Sequence, residues 1–361
     1  TGTVNLVNGQ LVGGEVQADG ATISSFELTG LRSTGFVLVD NSSITDWSLA
    51  GSADVTGSDV FVTNLDHTGS LVSSQGGRLN LTGGSSTLRS GSTFDADLTV
   101  TDGSLRVESG AVVNSGDARI GEDGSIELDS SAFVSAFDLT IDGTNARLHG
   151  QGTLEVSGNF NWNQGEVDSR LDLLGNSTNG TNSLKLGDQA DIRNFGFFSW
   201  QGGSIVGGTG GGDTGKFTNE SDAEFGVSGG LDWKAGTFEN NGTLSLNTGA
   251  PVIFRTRFNN NGYAGGEWGS LQLLGGGAHE GIFDFASGNR VTFGGDSANI
   301  HTLRPGSLIN GNALVASGQL GLAGGNVSEA SIEVGDGAIL FSLGGTHALG
   351  RLNVAPTGFV S

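Results

Sequence analysis

The chain has no cysteine, no methionine and only three prolines in 361 residues. Without cysteine, disulfides, thiolate metal sites, iron–sulfur clusters and cysteine nucleophiles are excluded. Secretion is not, because a large chain can be held together by other contacts. Without methionine, Thr1 is not a translational start, and a processed or partial chain is expected. Three prolines exclude collagen, which needs proline beside a third-position glycine. No run of ~18 apolar residues exists, so no membrane-spanning helix is expected. Basic residues are few, 16 against 38 acidic, for a net charge of −22. Such a chain repels nucleic acid and anionic membrane. Good helix formers are also scarce, and glycine or proline breaks nearly every window of ten, so no helix is expected.

Glycine is abundant instead, at 66 residues, about 18% where ~7% is usual. Hydrophobic residues are 35%, below the usual ~45–50%. Yet Val, Ile, Leu and Phe recur steadily in short alternating runs bounded by Gly, Asn, Asp and Ser, the signature of strands. Examples are TVNLV (3–7), FVLVD (36–40), DLTVT (97–101), SIELD (125–129) and TLSLN (243–247). The runs repeat. Gly103-Ser-Leu-Arg-Val and Gly124-Ser-Ile-Glu-Leu lie 21 residues apart, and DLTVTDGSLRV (97–107) returns as DLTIDGTNARL (138–148) after 41, or two such units. A second spacing, 38 then 33, separates Trp162, Trp200 and Trp233, each opening W-x-x-G; Trp268 follows.

A 21-residue unit is too short for a propeller blade of ~40. It fits one rung of a parallel β-helix, with strands of four to six residues joined by tight turns and stacked ~4.8 Å above the last. The predicted fold is therefore all-β, a right-handed parallel β-solenoid in one elongated rod. Residues 1–158 are expected to carry ~21-residue rungs and to be the more acidic part. Residues 159–361 are expected to continue in longer, Trp/Asn-rich units of ~33–38 residues. Backbone groups satisfy one another between rungs, so a thin core suffices.

The segments DADLTVTDGSLRVESGAVVNSGDARIGEDGSIELDSS (95–131) and DLTIDGTNARLHGQGTLEVSG (138–158) resemble the passenger domains of bacterial autotransporters and the β-helical stalks of large surface adhesins. The F-x-W-x-x-G and N-N-G-T stretches (160–165, 240–243) resemble another rung type of large bacterial repeat proteins. The resemblance implies a bacterial, extracellular or cell-surface rod; the expected function is structural, as an adhesin stalk or a head-to-tail filament subunit, with no catalysis.

Motifs for chemistry are thin. Gly210-x-x-x-x-Gly215-Lys216 nearly spells a phosphate loop, but Phe217 stands where Ser or Thr is required and no helix follows. Gly226-Val-Ser228-Gly-Gly230 matches a nucleophile elbow without the helix the elbow needs. Acidic turns (Glu122-Asp123, Asp213, Asp336) carry oxygen ligands, making Ca2+ the one cofactor to consider. The simpler reading is acidic turn residues facing water, with no cofactor. The runner-up function is a polysaccharide-active lyase or glycosidase, which needs paired carboxylates. Asp95 with Asp97, or Glu220, Asp222 and Glu224, could supply them, with Arg255 and Arg257 the close basic pair. It predicts a groove lined by carboxylates and Arg across three adjacent rungs. The five His (67, 149, 279, 301, 347) are dispersed and read as turn or surface residues. Trp162, Trp200, Trp233, Phe160 and Phe198 recur at repeat spacing and read as stacked interior aromatics. Seven N-x-S/T sequons (Asn41, Asn80, Asn176, Asn179, Asn219, Asn241, Asn326) are candidate glycosylation sites. Both ends begin or finish in strand patterns without a polar cap. The expected partners are therefore further copies docked end to end as a filament, or flanking parts of a longer chain. Surface glycans are a further partner class.

Overall fold

The computed structural model describes residues 5–11, 16–18, 21–210, 214–344 and 347–361. The P-loop-like and Asp213 readings fall partly outside them, as does the first strand pattern. Among the described residues there is no helix, and so none long and apolar enough to cross a membrane. The strands described pair in parallel, and the fold is a parallel β-solenoid. The chain divides into two compact units, 1–175 and 176–361.

Three strands make one turn. In the second unit Lys216–Asn219, Glu224–Val227 and Leu231–Trp233 are followed by Thr237–Asn240, Thr243–Asn247 and Val252–Phe254. Each strand pairs in register with its counterpart one turn on. Alternation along each strand sends one set of side chains inward, as Phe217, Phe225 and Trp233 show, and the other to solvent.

The 21-residue spacing is the rung. Ser104 pairs with Ser125, and Val100 with Ile120, which pairs with Ile141, so the 41-residue echo spans two turns. Turns near the start are tighter, with Leu28 opposite Ile44 and Ile44 opposite Val62. The 33–38 spacing of the tryptophans is not a rung. Phe217 meets Phe238 after 21 residues, Phe238 meets Phe258 after 20, and Phe198 meets Phe225 after 27. Trp200 pairs with Val227, and Trp233 with Ile205 and Phe254, so the two lie on different stacks. The apparent long period arises because W-x-x-G marks a strand end on whichever face the chain has reached.

Glycine is required where turns stack closely. A Cβ on Gly262 would lie 2.0 Å from the Gly242 carbonyl oxygen, and one on Gly281 2.0 Å from that of Gly262. Both obstacles are backbone, so two rungs would have to part. Gly262→Ala should therefore destabilise the second unit by roughly 2 kcal/mol, the scale of overpacking. Chemical denaturation of the variant checks this; an unchanged midpoint would refute the close approach.

Candidate functional site

In the first unit an outward ladder runs Arg78, Asp97, Asp117, Asp138, Asn159 on successive turns. Arg78, Asp117 and Asp138 of this ladder, with Thr99, Arg119 and Thr140 beside them, line a hollow of about 210 Å³. Rung spacing sets the Asp117 and Asp138 backbones ~4.8 Å apart, and retaining glycosidases hold their two carboxyl groups ~5 Å apart. Two carboxylates and two arginines thus line one hollow across adjacent rungs.

The groups are nevertheless engaged. Asp97 Oδ1 accepts the Asp117 backbone N–H at 2.9 Å. Asp138 Oδ1 accepts the Asn159 backbone N–H at 2.5 Å and its Nδ2 at 3.0 Å. Arg78 Nη2 lies 3.8 Å from Asp97 and 3.6 Å from Asp117. Arg119 donates from Nε and Nη2 to Asp142 Oδ2 at 3.1 and 2.8 Å. Asp117, its side chain 57% exposed, is the most open carboxylate of the ladder.

Of the carboxylates and bases nominated from sequence, only Asp97 stands in this ladder. Asp95 ends one strand and Asp97 begins the next, beyond a corner at Ala96. Arg193 Nη2 approaches Glu220 Oε1 to 2.6 Å, Asp222 holds a left-handed turn with φ 70°, and Glu224 Oε1 accepts the Ser245 hydroxyl. Arg255 donates to Asp232 Oδ1 at 2.7 Å, while Arg257 is exposed. Ser228 Oγ donates to the Trp200 carbonyl at 3.1 Å and is followed by strand, not helix. Asp123 accepts from Asn145 and Asp336 from Thr357. Among the described residues no group of three or more His, Asp or Glu is placed to hold a metal.

Stacked rungs are expected to set like residues in ladders, Asn among them, and the interior of the second unit carries such a ladder, whose members the sequence did not single out. Asn194, Asn219, Asn240 and Asn260 stand in register and are all fully buried. Each Nδ2 donates to the Oδ1 of the next, at 2.9, 2.9 and 2.7 Å. The second amide proton goes to a carbonyl beyond the turn: Glu224, Thr243, Tyr263 and Ile282 in order. The amide dipoles all point one way and reinforce one another. The signal was present as an Asn closing a strand just before a turn, at spacings of 25, 21 and 20.

His279 takes the next place in that ladder, opposite Asn260. It and His301 are fully buried, their rings stacked at 5.5 Å, with Nε2 of one 3.2 Å from Nδ1 of the other. His67 is also fully buried. The expectation of surface histidines is thus wrong for three of the five, because a neutral imidazole packs as a small aromatic. Trp162, Trp200, Trp233, Phe160 and Phe198 are each at most 1% exposed. Phe160 contacts Trp162, and Phe198 stacks on Phe225.

Burial also divides the sequons. Asn179, Asn219 and Asn80 are buried, and the Asn219 amide is fully engaged in the ladder, so the folded chain offers no room for a glycan there. Asn41, Asn176 and Asn326 are exposed and Asn241 is half-buried.

The chain matches no protein-family model, and no curated protein or solved structure resembles it significantly. The geometry therefore carries the functional argument alone.

Burial lowers the pKa of His301 from the ordinary 6.5 to about 4. It pushes His279 well below 6.5, helped by His301 and Arg304, and lowers His67 as well. A neutral imidazole in the fold and a protonatable one in the unfolded chain mean that the unfolded state takes up the proton first. Stability is full above about pH 6.5 and declines as pH falls towards 4. His301 alone accounts for roughly 3 kcal/mol across that window. Denaturation midpoints should fall between pH 7 and 5, and His301→Gln should flatten the profile. A midpoint independent of pH over that range would contradict a neutral buried pair.

Proposed function

We propose that the chain is a non-catalytic structural protein, an extracellular or cell-surface β-solenoid of the kind that forms adhesin stalks and passenger domains. What carries this reading is the use made of its polar side chains. Asp97 and Asp138 hold the backbone of the following rung. Arg89–Asp66, Arg106–Asp129 and Arg119–Asp142 each bridge 23 residues, one rung to the next. Exposed pairs of this type contribute only ~0–1 kcal/mol each, but they recur on several rungs and act along the stacking direction, as does the asparagine ladder. A scaffold that holds its rungs against load needs such ties, and its partners are further copies or surface glycans. Single-molecule pulling should release the chain in steps of one or a few rungs, each ~70 Å of extended chain for ~20 residues. Release of everything at once at low force would count against a load-bearing role.

Polysaccharide cleavage is the second reading, favoured by the Arg78/Asp117/Asp138/Arg119 hollow. Reducing ends released from neutral polysaccharides by the wild type, and not by Asp117→Asn, would establish it and displace the first.

A further inference from the structure

Trp268 breaks the rule that tryptophan is interior. Trp47, Trp162, Trp200 and Trp233 are each 1% exposed, and Trp268 is 67% exposed. Its orientation is built into the backbone. Ser245 pairs with Gly265 but Asn247 with Trp268, so one extra residue bulges the strand Tyr263–Trp268 just before the indole. Such bulges re-aim a side chain. The Thr248 N–H donates to the Trp268 carbonyl at 2.9 Å. Gly269 then turns at φ 134°, where a Cβ would meet the Thr248 oxygen at 2.8 Å.

Beside the indole lies a hollow of about 300 Å³, at the small end of ligand sites. Gly249, Ala250 and Pro251 form one wall, and Ser270, Gln272 and Asn289 supply the polar groups. No lining residue is charged, in a chain of net charge −22. Asn289 Nδ2 donates to the Glu267 carbonyl at 2.8 Å, leaving its Oδ1 to accept. Ser270 Oγ accepts the Arg290 N–H at 3.1 Å, leaving its hydroxyl proton to donate. An exposed indole face is electron-rich and attracts the weakly positive C–H face of a pyranose ring. Amide and hydroxyl groups at its edge match sugar hydroxyls, and the negative chain disfavours an anionic sugar.

We propose that Trp268, with Ser270, Gln272 and Asn289, forms a binding subsite for a neutral glycan, one sugar stacking on the indole. The test is titration of the intact protein with chitotetraose, cellotetraose and mannotetraose, followed by tryptophan fluorescence and calorimetry. At least one should bind saturably. Trp268→Ala should weaken it about tenfold or more, Trp268→Phe should retain part of the affinity, and Gln272→Ala should weaken it less. An exposed side chain can be removed without unfolding the rung, so the thermal transition of Trp268→Ala should match the wild type. Equal binding by Trp268→Ala overturns the proposal. So does a lack of binding to all three sugars, including the case in which a proline-rich peptide occupies the hollow instead. None of these outcomes bears on rung-wise unfolding under force, so the scaffold reading stands or falls separately.

Discussion

Replacing Phe238 by Ala should destabilise the second unit by about 4 kcal/mol, within the ~3–5 kcal/mol range for burying and then deleting an aromatic ring. Phe238 is fully buried at the crossing of two aromatic rows. It stacks on Phe217 at 5.3 Å and on Phe258 at 5.5 Å, the rings within 7° of parallel. It meets Trp233 and Phe225 edge-on at 5.0 and 5.2 Å, and Phe254 at 5.0 Å. The ring-to-ring contacts add to the area buried, and a thin, glycine-rich rung has little material with which to refill the cavity. Phe238→Leu should cost less than half as much. In a stacked repeat each rung leans on its neighbours. Hydrogen exchange should therefore quicken first in Thr237–Asn240 and in its partners Lys216–Asn219 and Phe258–Asn260. A loss below 1 kcal/mol, or exchange that quickens evenly throughout, would show that the aromatic rows are not the core's chief support.

Asn240→Ala should be nearly as damaging, by about 4 kcal/mol, for a different reason. Asn240 accepts from Asn219 at 2.9 Å and donates to Asn260 at 2.7 Å and to the Tyr263 carbonyl at 2.8 Å. Truncation removes three buried hydrogen bonds. It strands the Asn219 donor and the Asn260 acceptor away from water, at ~1–3 kcal/mol each. Asn240→Asp distinguishes this from a packing effect. Near pH 7 a buried carboxylate would face the Asn260 Oδ1 and the Tyr263 oxygen with no proton to offer. Protonation at lower pH restores one donor. Asn240→Asp should therefore regain stability, relative to wild type at the same pH, as pH falls from 7 to 5. The comparison cancels the histidine contribution, which both proteins share. If Asn240→Ala and Asn240→Leu behave alike and near wild type, the ladder is packing rather than hydrogen bonding.

How much of this was legible beforehand depends on whether the property repeats along the chain. The rung length came from echoes such as Gly103-Ser-Leu-Arg-Val and Gly124-Ser-Ile-Glu-Leu, which the register places on adjacent turns. The all-β character followed from alternation and from glycine in place of helix formers. The asparagine ladder was half-visible, as Asn-rich turns, but which Asn points inward is a matter of strand phase. Asn240 is buried, whereas its neighbour Asn241 is half-exposed. The Trp spacing misled because W-x-x-G marks a local strand end, while rungs are defined by what stacks above it.

The sequence by itself determined the backbone regime. A chain rich in glycine, with short alternating runs that echo every ~21 residues, satisfies its peptide groups by stacking parallel strands rather than by helices or antiparallel blades. Tertiary structure alone decided which polar groups became structural and which were left to meet a ligand. Whether His279 enters the core, Asp97 holds the next rung, or Trp268 turns outward depends on register and on a single bulged residue. A shift of one position exchanges inside for outside without altering composition or spacing.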